Sequence, residues 1–314
     1  MMRTALVSGT VAGAPFSAAR TFTVDPRMGA SASSQSTFDS FNASASPGVG
    51  PMTARRTYQS GAPALPASFA SSVAATDVAA GRVSIWSFKP NMLTFATDTA
   101  AQNALRAFLA SYPTTGAGLI AVIYHEPEDN IAAGSFTLAQ YKTVTNIVGD
   151  IIASLGRTNI KLATCLMGPW TVDTRSTYSS SNWWDPGFAS RVSYVGIDPY
   201  KWNPSDGSLQ QILTINNSGT GGGGAAPSIL QWIRDTTGKS WIPMEWGCTE
   251  TGVSQTVKAQ WITDAFAFLR AQPDCPIATY FNINPGTDGA GRDTWLLHDA
   301  PLAAYRAACI DSRT

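Results

Sequence analysis

The sequence has little charge and very few residues of the types that bind metals. Charged residues make up 13% of its 314 positions, against about 25% in an average soluble protein. Lys+Arg and Asp+Glu number 21 each, so the formal net charge is zero. Because nucleic-acid-binding proteins normally carry a basic excess, this balance disfavours a nucleic-acid partner. No run reaches the roughly 18 consecutive apolar residues of a membrane-spanning helix.

Histidine and cysteine are equally scarce. The two histidines, His125 and His298, are too few for a multi-histidine metal site, and we expect neither a metal nor another cofactor. The four cysteines contain no Cys-x-x-Cys pair, which excludes a zinc ribbon. They are compatible with two disulfides or with four buried thiols. Cys275 and Cys309 are predicted at the same end of the fold, where a disulfide between them is sterically possible.

Short apolar segments alternate with helical segments about eight times along the chain, and 32 aromatic residues suffice for a large core. The predicted strands are 27–33, 52–60, 82–88, 118–125, 160–168, 191–200, 240–247 and 276–284. Eight strands, each followed by a helix, predict a parallel α/β sheet closed into a single-domain (β/α)8 TIM barrel over 27–314. An open doubly wound sheet is the alternative, but no glycine-rich nucleotide-binding turn follows the first strand.

Residues 1–26 are predicted as an N-terminal arm or leader outside the barrel. They contain an arginine, a mildly apolar stretch and a run of small residues, which together resemble a signal peptide only weakly. This slightly favours an extracellular or virion-associated protein. We expect a monomer.

Glutamate is confined to two short windows of the sequence. The chain has 17 Asp but only four Glu, which occur in YHEPED (Glu126, Glu128) and in PMEWGCTE (Glu245, Glu250). The first window ends the fourth predicted strand and the second ends the seventh. Because the active site of a (β/α)8 barrel lies at the carboxyl ends of the strands, Glu126 and Glu245 are predicted to face each other across the barrel mouth.

Two facing carboxyl groups are what glycosidic hydrolysis requires. One protonated acid lies beside the leaving oxygen and an ionised carboxylate lies on the other side of the sugar ring; at about 5–5.5 Å separation the carboxylate attacks directly and configuration is retained. We therefore predict Glu126 and Glu245 as the catalytic pair. Glu128 and Glu250 lie further into the loops, where solvated or supporting roles are expected.

Aromatic residues at the same strand ends favour a sugar ligand, because the apolar faces of sugars stack on such rings. Trp241 and Trp261 are instead predicted in the core. The candidates for substrate binding are Trp86, Trp170, Trp202, Trp246, Phe281 and Trp295.

Four stretches in this part of the chain resemble glycoside hydrolase family 26, the β-mannanase family of a large clan of retaining (β/α)8 enzymes. They are His125-Glu126, VGIDPYKWN (195–203), IPMEWG (242–247) and YFNIN…DTWLL (280–297). The resemblance covers the fourth to eighth strands; the first three strands match only in their general pattern.

The resemblance implies a role for each residue that matches. Glu126 would be the general acid/base and Glu245 the nucleophile. Tyr200 would donate a hydrogen bond to Glu245, and His125 would position the acid/base or contact the sugar. Asp198 would lie beneath the sugar at the cleavage point.

The sequence departs from the family at three places. Ile131 stands where an aromatic residue is usual, no histidine precedes His125, and Glu250 stands where an aromatic residue is often found. Mannan specificity is therefore less well supported than the clan's chemistry, and xylan, mixed-linkage glucan or a bacterial-surface glycan stay open as substrates.

The alternative function is a non-catalytic glycan-binding barrel in an extracellular or virion assembly. A metal-dependent hydrolase is disfavoured by the two histidines. The expected partner is a polysaccharide or oligosaccharide.

Overall fold

Eight parallel strands form a nearly closed barrel in the computed structural model of the chain. The structure describes residues 2–11, 14–23, 26–32, 35–43, 52–59, 68–168, 183–214, 227–283, 295–297 and 299–311. The predicted (β/α)8 barrel is confirmed. Its strands are β3 (Arg27–Ser31), β4 (Ala54–Tyr58), β5 (Val83–Phe88), β6 (Leu119–Ile123), β7 (Ile160–Leu166), β8 (Tyr194–Ile197), β10 (Ser240–Pro243) and β12 (Ile277–Phe281).

Two small two-stranded sheets in the described part of the chain lie outside this sheet. Strands β1 (Met2–Val11) and β2 (Ala14–Thr23) pair antiparallel as a separate two-stranded sheet within the predicted N-terminal arm. Strands β9 (Tyr200–Lys201) and β11 (Gly247–Cys248) pair in parallel beyond the carboxyl ends of β8 and β10. This small ladder places Tyr200 beside Gly247, two residues after Glu245.

Helices follow most of the barrel strands. They are α1 (Gln35–Ala43), α2 (Val73–Ala79), α3 (Thr99–Ala110), α4 (Pro127–Ala132), α5 (Leu138–Ser154), α6 (Pro186–Arg191), α7 (Leu209–Thr214), α8 (Ile229–Trp232), α9 (Gln255–Arg270) and α10 (Asp299–Asp311). A 3₁₀ turn, Phe69–Ser71, precedes α2, and a π-helical turn, Ile233–Thr237, continues α8. No helix in the described part of the chain is long and apolar enough to cross a membrane.

The seam of the barrel lies between β10 and β12. Continuous pairing runs from β10 through β8, β7, β6, β5, β4 and β3 to β12. The seam itself has only a single parallel bridge, between Trp246 and Tyr280, with the Phe281 amide donating to the Trp246 carbonyl at 2.9 Å. The sheet therefore closes just at the end where Glu245 lies.

Side chains alternate between two cores because successive residues of a strand point to opposite sides. Small and branched side chains such as Ala54, Ile85 and Val122 fill the inside of the barrel. Larger ones, such as Trp86, Trp241 and Trp261, pack between the barrel and the helices. The prediction that Trp241 and Trp261 are core residues is confirmed, with 0% and 5% of their surfaces exposed. All four cysteines lie in the described part of the chain, where they are buried and not joined in disulfides, so the possible Cys275–Cys309 disulfide does not form.

Two short helices open at a proline. Pro127 opens α4 directly after Glu126. Pro186 opens α6 in the same way, and Asp185 caps it by accepting from the Phe188 amide at 2.9 Å. Both are about two turns or less, and so short a segment shows no apolar periodicity.

Candidate active site

Glu245 lies at the barrel mouth, held by three hydrogen-bond donors. Its Oε1 accepts from the Tyr58 hydroxyl at 2.6 Å and faces Nη2 of Arg56 at 3.1 Å. Its Oε2 accepts from the Tyr200 hydroxyl. Only 5% of the residue is exposed. Charge-assisted donors on both oxygens stabilise the ionised carboxylate and fix its orientation.

Arg56 is the charged centre of this arrangement. Its side chain is fully buried, and Nη1 contacts Oδ1 of Asp198 at 3.0 Å while Nη2 reaches Glu245. The Cys165 thiol donates to Oδ2 of Asp198 at 3.0 Å. Burial alone would lower the pKa of Arg56, but Asp198 and its other anionic neighbours reverse this and raise the pKa well above its ordinary value. The guanidinium therefore stays charged and shared between two carboxylates.

Asp198 is buried below the carboxyl group of Glu245, with Arg56 between them. Both of its oxygens are occupied, one by Arg56 and the other by Cys165, and its side chain has no exposed surface. Its place beneath the sugar therefore stays a prediction. Burial raises the pKa of Asp198 to about 7, despite the opposing charge of Arg56. Its position is that of a group that orients Arg56, which in turn contacts Glu245.

Glu126 has a very different environment. Its backbone is in the left-handed region, with φ 51° and ψ 56°, and its amide donates to the Cys165 carbonyl at 2.8 Å. Tyr124, two residues before it, also has a positive φ of 48°. Such conformations cost about 1–3 kcal/mol each in residues other than glycine, and they cluster at functional sites. Here they turn the chain sharply from β6 into α4 and leave Glu126 at the turn.

The carboxyl group of Glu126 is coupled to the rest of the site. Burial, followed by the negative charges of Asp198 and Glu245, raises the pKa of Glu126 to about 9. Unlike Asp198 and Glu245, Glu126 makes no contact with Arg56 among those found in the described part of the chain. The Arg56 guanidinium therefore pairs with Asp198 and Glu245 and not with Glu126, whose pKa is raised.

His125 lies beside these groups and lines a cavity of about 590 Å³ with Tyr58, Lys89 and Tyr124. Its ring meets the Tyr58 ring edge-on, with centroids 5.4 Å apart. Burial, together with the charges of Arg56 and Lys89, lowers the pKa of His125 to about 2. The imidazole is therefore neutral, so it can offer both a donor and an acceptor to a ligand.

Three of the predicted aromatic residues gather around Tyr200. Trp295, Trp202 and Phe281 have ring centroids 4.6, 5.2 and 5.8 Å from that of Tyr200. Trp202 is 40% exposed, whereas Trp295 is almost fully buried. Gly247 permits this packing, since a Cβ there would lie 2.9 Å from the Trp295 ring. Trp202 is the member of the group with a face open to a ligand.

Trp86 and Trp246 do not line the mouth, and their predicted role in substrate binding is wrong. Trp86 points out of the barrel because its neighbour Ile85 points inward, and it packs on Phe88 and Phe108. Trp246 is fully buried. It follows Glu245 and faces the opposite side of the chain, toward the helices α9 and α10. Trp170 lies outside the described residues, as does His298.

Sequence reasoning missed Arg56 and Tyr58. Both lie on β4 at a spacing of two, so they point into the barrel with Ala54. The available signal was a pair of arginines, Arg55 and Arg56, in an otherwise buried strand, because a fully buried arginine needs a partner.

The other two glutamates lie away from the Glu126–Glu245 pair. Glu128, predicted as solvated or supporting, is buried and accepts a hydrogen bond from the Met167 amide at 2.8 Å. Glu250 forms a salt bridge with Lys258.

The described residues hold no group of three or more His, Cys, Asp or Glu side chains placed to bind a metal ion. The arrangement instead brings together a carboxyl group with a raised pKa, a second carboxyl group held by three donors, and an adjoining cavity. Such a pair can donate a proton and attack an electrophilic carbon in the same step.

Comparison with known proteins gives structural relatives only. No family model matches the sequence, and no curated protein matches it. A glycoside hydrolase family 128 (subgroup II) endo-β-1,3-glucanase from Sorangium cellulosum is similar, with a TM-score of 0.56 and 16% identity, over 90% of this chain and 98% of that one. An endo-β-1,4-mannanase double mutant from Cellulomonas fimi has a TM-score of 0.56 and 15% identity, over 91% of this chain and 71% of that one.

An oligosaccharide-binding protein of family 128 (subgroup VII) from Trichoderma gamsii is also similar, with a TM-score of 0.53 and 13% identity. The match covers 93% of this chain and 97% of that one. At these identities the likeness defines the fold, a TIM barrel that glycoside hydrolases also have. It does not define the family, and membership of family 26 is not shown.

Proposed function

We propose that the protein is a retaining glycoside hydrolase that cleaves a β-linked polysaccharide, with Glu126 as acid/base and Glu245 as nucleophile. The observation that carries the proposal is the contrast between the two glutamates. Glu245 is held by Arg56, Tyr58 and Tyr200, which favour the carboxylate. Glu126 lacks such partners in the described part of the chain, and burial and neighbouring negative charge raise its pKa to about 9. A glutamate whose oxygens are held by three donors, beside a glutamate whose pKa is raised, matches the nucleophile and the acid of the first step of the reaction.

In that step Glu126 gives its proton to the glycosidic oxygen as the bond to the anomeric carbon breaks. An oxygen of Glu245 attacks the anomeric carbon and forms a glycosyl ester, which neutralises the charge of Glu245. With that charge gone, the pKa of Glu126 falls, so Glu126 accepts a proton from an incoming water. The water oxygen attacks the same carbon, the ester bond breaks, and Glu245 leaves as a carboxylate.

The substrate class that we propose is a β-glycan. β-Mannan is favoured by the resemblance of His125-Glu126 and IPMEWG to family 26, and the structural similarity to a β-1,4-mannanase is consistent with it. β-1,3-Glucan belongs in the same test because a β-1,3-glucanase has a similar fold. The neutral His125 and the exposed ring of Trp202 could contact sugar hydroxyls and a sugar face in either case.

The test is release of reducing sugar from β-mannan, β-1,3-glucan, xylan and mixed-linkage glucan by the wild type and by Glu245→Ala. The variant is expected to lose activity by roughly 10³-fold or more, because it lacks the covalent catalyst. Asp264→Ala, which removes an exposed carboxylate on α9, is the control and should leave the rate unchanged. The configuration of the first product, followed by NMR, should be that of the substrate.

A second candidate function, non-catalytic glycan binding, is favoured by the similarity to the Trichoderma gamsii oligosaccharide-binding protein. It predicts affinity for one of these glycans without product release. That result, or equal activity in wild type and Glu245→Ala, would contradict the hydrolase proposal.

A further inference from the structure

The cavity beside His125 is large enough for part of a ligand, at about 590 Å³. Its walls come from the carboxyl ends of three neighbouring strands. Tyr58 ends β4, Lys89 follows β5, and Tyr124 and His125 follow β6. The cavity shares Tyr58 with the hydrogen-bond set of Glu245. It therefore continues the catalytic mouth toward the β4–β6 side of the barrel.

The charges in this cavity have one sign. The lining residues are Tyr58, Gln59, Lys89, Pro90, Asn91, Met92, Leu93, Tyr124, His125, Ser135 and Phe136. They include one ammonium group and no carboxylate. Since His125 is neutral, Lys89 is the charged group that a ligand in this lining would meet.

Lys89 is half-buried and lacks a bonded anion. Its Nζ lies 4.9 Å from the centroid of the Tyr124 ring. Across the described ranges it makes no salt bridge or hydrogen bond. Burial lowers the pKa of Lys89, and the charges of Glu126 and Glu245 oppose that shift only in part. A half-buried ammonium of this kind gains most from a ligand that brings its own negative charge.

We propose, on the basis of the proposed function, that this cavity is a subsite for an acidic sugar, in which Lys89 pairs with the carboxylate of a uronic acid unit of the β-glycan. A single point-like ammonium suits a single carboxylate. Tyr124 and the exposed Leu93 present apolar faces for the ring, while Asn91 and Gln59 can serve the hydroxyl groups. Lys89 would then select substrates that place a carboxylate in this cavity.

A different role for Lys89 would be to adjust the proton affinity of Glu126 by its charge alone. That role predicts no difference between acidic and neutral ligands. The two are separated by oligosaccharides that differ only in the carboxyl group. One matched pair of ligands is tetra-β-1,4-mannuronate and β-1,4-mannotetraose. The other is tetra-β-1,3-glucuronate and β-1,3-glucotetraose.

The experiment measures the binding of both matched pairs by calorimetry, for the wild type and for Lys89→Met, Lys89→Arg and Lys239→Met. Lys239 is the matched control because it precedes β10, at the opposite end of the barrel from the mouth. In at least one of the two pairs, the wild type should bind the uronate at least about tenfold more tightly than the neutral oligosaccharide. High salt should reduce this difference in affinity. Lys89→Met should abolish the preference, Lys89→Arg should keep part of it, and Lys239→Met should leave it intact.

Three results would overturn the subsite: equal affinity for the members of both pairs, an equal loss for both members in Lys89→Met, or no binding of either uronate. The outcome is independent of the hydrolysis test. Cleavage of a neutral glycan without uronate preference would leave the proposed function standing and remove the subsite. Lys89-dependent uronate binding without cleavage of any glycan would support the subsite and contradict the proposed hydrolase function.

Discussion

Two glutamates of the same chemical type have very different neighbours at this barrel mouth. Glu245 has a guanidinium and two phenol hydroxyls within bonding distance. Glu126 is instead shielded from solvent and lies near the negative charges of Asp198 and Glu245. Neither residue could carry out its proposed step in the other's place, because a carboxylate cannot donate a proton and a protonated acid is a poor nucleophile.

Activity should therefore fall on the alkaline side as Glu126 loses its proton. The pKa of Glu126, raised to about 9 by burial and by the charges of Asp198 and Glu245, sets that limit. Glu126→Ala should remove the alkaline limb on an aryl β-glycoside with a good leaving group. Sodium azide should restore turnover and give a glycosyl azide of retained configuration. A wild-type alkaline limb that persists in Glu126→Ala would contradict the assignment.

Tyr58 should contribute to catalysis through the hydroxyl that reaches Oε1 of Glu245. Burial, followed by the charge of Glu245, raises the pKa of Tyr58 well above its ordinary value, so the hydroxyl stays a donor. Tyr58→Phe should lower kcat by about 10²-fold, as loss of one preorganised donor does elsewhere. Tyr112→Phe is the control, since the Tyr112 hydroxyl bonds to the Ala117 carbonyl instead. Equal kcat values in Tyr58→Phe and wild type would exclude this role.

At the scale of elements, the site is assembled from strands that are not neighbours. Arg56 on β4 reaches Asp198, which follows β8, and three strands lie between β4 and β8 in the sheet order. The ion pair therefore crosses the inside of the barrel. Cys165, at the end of β7, joins it from a third strand. The buried ion pairs of Arg56 therefore connect β4 to the strands that precede Tyr200 and Glu245.

Asp198→Asn should reduce both stability and activity. The variant leaves a buried guanidinium with one carboxylate fewer, and breaking a buried ion pair costs about 3–5 kcal/mol. Urea unfolding should show the lower free energy of unfolding, and kcat should fall because Arg56 no longer holds Glu245 in place. Asp150→Asn, which weakens the exposed salt bridge to Arg191, should change the free energy of unfolding far less, because solvent screens an exposed pair. Similar losses in the two variants would mean that the buried pair has no special role.

At the scale of the whole molecule, Glu126 should lower the free energy of unfolding. The pKa of Glu126 rises from its ordinary value of 4.5 to about 9 on folding. Between these pH values the folded protein binds more protons than the unfolded chain, so the stability contribution of Glu126 becomes less favourable as pH rises from 4.5 to 9. Below pH 4.5 both states are protonated and the effect disappears.

Glu126→Gln should therefore raise the Tm at pH 7–8 by about 2 °C or more, while abolishing activity on unactivated glycans. At pH 4 the Tm values of variant and wild type should converge. Asp264→Asn, on the exposed face of α9, should show no such pH dependence. Thermal unfolding at several pH values makes the comparison. A Tm difference that is the same at pH 4 and pH 8 would show that Glu126 is not buried as an acid.

The sequence by itself determined the barrel and the two glutamates. Apolar strands alternating with helices define a parallel sheet through local periodicity, and the confinement of Glu to two strand ends marked Glu126 and Glu245. Only the tertiary structure decided which side chains surround them. Arg56 and Asp198 are 142 positions apart, and nothing local in the sequence records that pairing. Trp86 and Trp246 failed as mouth residues for the same reason: the side that a strand residue faces depends on the register of the closed sheet, and a shift of one residue exchanges the inside for the outside.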